Sequence, residues 1–221
     1  MALDRAQTNR NADASSALFA LVDADGTRAH PHAAALAQPG ADPRDLADAV
    51  HLICSLHGRH PGLVDHSVQH SNIDGANGWL DTVSIAFAEE RARIVALAVA
   101  AGPLPSTPGQ AESEATVTAQ RHALDMLAMS ARSGCSLGAS LALVLDWTAI
   151  GRVLQSAGDR FGVEMPPPPF PSDTDTETLI ATIGGRASID RAILFGAQQL
   201  LAQHRGLFDL LQARAEARGA L

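Results

Sequence analysis

Four polar side chains occupy positions where this sequence otherwise places hydrophobes: His57, Glu90, Asp146 and His204. Each falls on the core-facing stripe of a different predicted helix, and His122 lies on a flanking apolar face of a fifth. Glu90 interrupts a row made by Leu80, Val83, Phe87, Ile94, Leu97 and Ala101 at alternating three- and four-residue spacing. Two carboxyl groups and two or three imidazoles at one level of a helical bundle are a ligand set for iron, manganese or zinc. The expected metal ligands are therefore His57, Glu90, His122, Asp146 and His204. Without a metal, the same groups would satisfy one another as a buried polar network, because an unpaired buried charge is costly.

Asp146 sets the tightest condition. Between Arg132 and Arg152 it is the one charged side chain, surrounded by Leu137, Leu141, Leu143, Val144, Trp147 and Ile150. A helix that is apolar on all sides is buried, in a core or in a bilayer. The run is long enough to span a membrane, but Asp146 would cost ~3 kcal/mol at the bilayer centre. Ser133, Ser136, Ser140 and Thr148 further favour a protein core. Ala139, Ala142 and Ala149 allow a neighbouring helix to come close to the acid.

Two resemblances follow. An acid-and-histidine set in a helical bundle resembles the ferritin-like carboxylate proteins in architecture, although no Glu-x-x-His occurs in this chain and no family residue is carried over. The run Leu21-Val22-Asp23-Ala24-Asp25-Gly26-Thr27 resembles the nucleophile motif of haloacid-dehalogenase-type phosphatases. That resemblance implies Asp23 as nucleophile, Asp25 as acid/base and Mg²⁺ as cofactor. Asp-Gly is equally a turn signal, and the run reads as a short strand entering a hairpin. Histidines cluster between His51 and His70, and His66 and His70 have helical metal-clamp spacing; flanking Gly, Pro, Ser and Asn favour a solvated connector.

Composition removes several classes. The 221-residue chain is 46% hydrophobic and carries a net charge of −8. It has no lysine, which excludes a P-loop lysine and a Schiff-base lysine. Its acidic balance argues against nucleic acid and against anionic membranes. Cys54 and Cys135 are far apart and fit no zinc pattern. Met1 to Arg10 lacks an apolar run, so no signal peptide is read and a cytoplasmic location is expected.

The elements that must position these residues are helices. Asp42-Pro43 starts one, with Leu46, Val50, Ile53 and His57 on one face and Arg44, Asp48, His51 and Ser55 on the other. Asn77-Gly78 opens a second, running to about Ala101. Thr107 to Gln110 and Thr174 to Glu177 read as capping boxes. Four consecutive prolines, Pro166 to Pro169, form an extended connector. Gly184-Gly185 precedes a last helix from about Ser188 to Arg218.

The expected fold is all-α: an up-and-down bundle of four or five long helices with a small N-terminal β-hairpin. Its expected divisions are a tail and hairpin over 1–41, a bundle core over 42–162, a connector over 163–174 and a C-terminal helical segment over 175–221. The leading functional expectation is a non-catalytic structural or interaction protein, with Ala-rich helix faces that suit a homodimer. The alternatives are a metal or small-ligand protein with a buried His/carboxylate centre, and the phosphatase.

Overall fold

The computed structural model describes residues 2–219, with side chains from Ala14 onwards. Among these residues there are nine α-helices and no strand. They are α1 Ala2–Asp25, α2 Pro31–Leu36, α3 Pro43–His57, α4 Leu63–His70 and α5 Asn77–Ala100, then α6 Gln110–Ala128, α7 Cys135–Phe161, α8 Asp173–Ile183 and α9 Ala187–Gly219. The all-helical expectation holds. The hairpin does not form, and the helices are more numerous than expected.

The central rod is α7. Every side chain from Cys135 to Val144 is buried, as are Asp146, Trp147, Ile150, Val153 and Leu154. It is long and apolar enough to cross a bilayer, but most of it is enclosed by other helices. That enclosure accounts for its all-round hydrophobicity. Its main neighbour is α9, and α3, α4, α5 and α6 also touch it. The α7–α9 seam is set by glycine. A Cβ at Gly138 would stand 2.0 Å from the Ile193 carbonyl oxygen, and one at Gly196 would stand 1.9 Å from that of Cys135. The close approach expected from the alanines thus comes from two glycines and Ala139.

The segment read as a hairpin is the end of α1. Leu18 is fully buried there, and Leu21 and Val22 pack against the core. Asp23 pairs with Arg28 and Asp25 with Arg205. Period-two and helical readings of a five-residue apolar run are hard to separate, and the preceding Ala-rich chain decides for helix. Met1, Ala220 and Leu221 lie outside the described residues.

Several local starts follow from sequence chemistry. The Asp42 carboxyl accepts hydrogen bonds from the Arg44 and Asp45 amides, as an N-cap should. The capping box before α8 is built from Ser172 and Asp175, two residues earlier than expected. At α6 no box forms, because Thr107 is taken by Arg214 and Arg218. Asp48, expected on a polar face, is completely buried, bonded to Arg214 Nε at 2.8 Å and to Arg218 Nη1 at 2.6 Å. This clamp ties α3 to the end of α9. Its signal lies in Arg214 and Arg218, which share a face of α9.

Candidate functional site

Four of the five expected polar residues gather around the middle of α7. Asp146, His57 and His204 lie on α7, α3 and α9, and all three are at least nine-tenths buried. Asp146 Oδ2 lies 2.7 Å from His204 Nδ1. His204 Nε2 lies 3.0 Å from His57 Nε2. The chain Asp146–His204–His57 therefore uses both ring nitrogens of His204 and leaves that ring no lone pair for a metal. Among the described residues His57 Nδ1 makes no hydrogen bond; the ring's one contact of that kind is through Nε2.

The other side of Asp146 is closed by the turn after α1. The Thr27 amide donates to Oδ1 at 2.7 Å, and the Thr27 hydroxyl donates to Oδ2 at 2.6 Å. Gly26 permits this approach: a Cβ there would meet Asp146 Oδ1 at 2.6 Å and the Val22 carbonyl oxygen at 2.3 Å. The Asp-Gly-Thr run resembling a phosphatase motif is thus the clasp on the buried acid. Asp23 and Asp25 are engaged on the surface with arginines, on a helix end rather than a strand end.

Burial alone would raise the Asp146 carboxyl, but His204 and the two Thr27 hydrogen bonds outweigh it and hold it below the ordinary aspartate range. Burial, and then the neighbouring His204, push His57 well below the usual imidazole value. His57 is consequently neutral at pH 7. With a proton on His204 Nδ1 facing the carboxylate, a neutral His204 accepts at Nε2 from His57 Nε2–H.

Glu90 joins this centre through Trp147. It is 1% exposed. Its Oε1 accepts from Trp147 Nε1 at 3.0 Å, and its Oε2 accepts from Arg93 Nη1 at 3.2 Å. The Trp147 ring meets the His57 ring edge-on at 5.3 Å. The expectation that Glu90 would share ligands with the histidines is not met, because the indole stands between them. His122 does not join: it lies on an exposed face of α6, where Met126 and Met129 are also exposed. Among the described residues no group of three or more His, Cys, Asp or Glu has the placement of a metal site. His66 and His70 do sit on a helix, α4, with His70 Nδ1 at 2.8 Å from the His66 carbonyl oxygen. Both cysteines are free thiols.

Two cavities flank the centre and share no lining residue. The larger, about 430 Å³, lies under the extended strap Met165–Pro171 and is walled by Val144, Trp147, Leu154 and Phe170, with Glu90 among its lining. The strap is anchored by Phe170, which stacks on Phe87 with ring centroids 6.0 Å apart. The chain folds back closely at Gly158, where a Cβ would meet the Val163 carbonyl oxygen at 2.5 Å. The proline run read as a domain connector is therefore the roof of a cavity. Nothing in its local sequence signals that role, since a rigid extended segment serves either purpose.

The smaller cavity, about 150 Å³, lies on the His57 side and is lined by His57, Arg59, His66, Phe87, Arg121 and Asp125, among others. Its loop, which carries Arg59, is held by Asp65. That carboxyl accepts from the Gly62 amide at 2.8 Å and from Ser84 at 2.9 Å, and it pairs with Arg91 at 2.9 Å.

No curated protein and no solved structure matches the chain. A model of a family of unknown function, DUF6975, matches residues 22–219, a span that includes the Thr27 clasp, the His–His–Asp chain and both cavities. The chain belongs to that family.

Proposed function

We propose that this protein binds a small, largely apolar molecule carrying a hydrogen-bond donor, in the cavity beneath the proline strap. The observation that carries the reading is the placement of Glu90. A buried carboxyl group lines a cavity of about 430 Å³ whose apolar wall is Val144, Trp147, Leu154, Met165, Phe170 and prolines, with Thr148, Arg152, Gln155 and Asp173 also in the lining. Ligand sites typically combine about 300–1,000 Å³ of apolar wall with a few fixed polar groups. Each Glu90 oxygen uses one of its acceptor positions on the protein, leaving capacity for a donor from a ligand. An amine or amide proton directed at Glu90, with an apolar body against Trp147 and Phe170, satisfies both parts of the wall. Arg152, at the rim, is exposed and has no ion-pair partner among the described residues.

The test is a thermal-shift series with arylalkylamines and the matched arylalkyl carboxylates. The amines raise the melting temperature of the wild-type chain, and Glu90→Gln removes that shift while keeping the Trp147 contact. Equal shifts from amines and carboxylates, or no shift from any compound, overturn the reading.

A further inference from the structure

The smaller cavity presents a second, separate chemistry. Arg59 and Arg121 line it and have no ion-pair partner among the described residues. His57 borders the same cavity at 6% exposure, and among the described residues its Nδ1 makes no hydrogen bond. Behind His57 stand His204 and then Asp146, whose carboxyl is held by Thr27. The groups facing His57 from each packed element are His204 on α9, Asp146 on α7, Glu90 behind Trp147 on α5, and Arg121 and Asp125 on α6, with Arg59 and His66 on the loop and α4.

We propose that this cavity binds a small oxyanion together with one proton, which enters at His57 and is stored as charge on His204. In the empty state the Asp146 carboxylate accepts from His204 Nδ1–H, and His204 Nε2 accepts from His57 Nε2–H. His57 Nδ1 then carries a lone pair. A proton arriving from solvent binds at Nδ1, while the Nε2 proton of His57 passes to His204 Nε2. His57 ends neutral, with Nδ1–H as a donor, and His204 ends as an imidazolium against the Asp146 carboxylate. One proton is gained, none is lost, and no other bond changes. The bound anion is held by the Arg59 and Arg121 guanidiniums and the new donor at His57 Nδ1. Cation–oxyanion hydrogen bonds of this kind are the strong ones. The volume of about 150 Å³ suits a free ion or a small acid rather than a large ester.

Sulfate and acetate, added to the full chain, are suitable probes because neither titrates near neutral pH. Calorimetry in two buffers of different ionisation enthalpy reads the proton count. The expected result is uptake of about one proton per anion, with affinity falling about tenfold per pH unit as pH rises. Arg121→Gln, on the half-exposed rim, weakens binding about tenfold. Saturable binding that takes up no proton, or no binding of either anion at millimolar concentration, overturns the proposal. Nitrogen-15 histidine spectra of the wild-type chain give an independent readout without any substitution. His57 Nδ1 changes from bare to protonated when sulfate is added, and an unchanged tautomer overturns the relay.

Discussion

Asp146 Oδ2 and His204 Nδ1, from α7 and α9, stand 2.7 Å apart where neither side chain is more than 1% exposed. Both helices are apolar around that point, so each group is the other's means of tolerating burial. Asp146→Ala removes the carboxyl and orphans His204, the Thr27 amide and the Thr27 hydroxyl together. The expected loss is on the order of 3–5 kcal/mol in urea unfolding. A change within about 0.5 kcal/mol would show that the carboxyl is solvated in the folded protein.

Acidification destabilises the fold in two steps. His57 has a folded pKa below its unfolded value near 6.5, because burial disfavours its charged form. Its contribution is therefore complete above about pH 6.5 and shrinks as pH falls below that value, where the unfolded chain binds more protons. Asp146 is depressed as well, so its contribution is complete above about pH 4 and is lost as pH falls through its folded value. Melting temperatures measured from pH 8 to pH 3 show both declines. His57→Gln reduces the first; His32, which burial also lowers, contributes in the same direction.

The α7–α9 seam makes opposite predictions for glycines in one helix. Gly138→Ala places a methyl 2.0 Å from the Ile193 carbonyl oxygen, and backbone must move to accept it. A loss of about 2 kcal/mol or more is expected. Gly151→Ala meets nothing within 4 Å and lies inside the same helix. It gains about 0.5–1 kcal/mol from helix propensity. Equal effects of the two substitutions in chemical denaturation would place the helices farther apart than described.

The Asp48 clamp behaves like the Asp146 pair. Arg214 is 2% exposed and donates to Asp48, Gln110, Thr107 and the Pro105 carbonyl. Asp48→Ala leaves that guanidinium buried without its counter-ion, at about 3–5 kcal/mol. Arg214→Met in the Asp48→Ala background recovers part of the loss, because an apolar pair needs no partner. The double-mutant cycle is read by urea unfolding, and additive losses would show that the two side chains do not interact.

Local patterns settle the helices and their buried faces. Spacing identifies α3, α5, α7 and α9, and Asp42-Pro43 marks where α3 begins. The same spacing shows that Glu90, Asp146, His57 and His204 turn inward, because a helical stripe admits no other direction for them. Which inward groups meet is decided only by packing. The Thr27 clasp, the placement of Trp147 between Glu90 and His57, the outward turn of His122 and the burial of Asp48 all join residues from elements far apart in the chain. A stripe specifies a face of one helix but neither its axial height nor its rotation against a neighbour. In this protein those are set by the Gly138–Gly196 seam, where two backbones can approach because side chains are absent. The strap from Met165 to Pro171 makes the same point: proline chemistry makes it extended, and only the fold places it over a cavity.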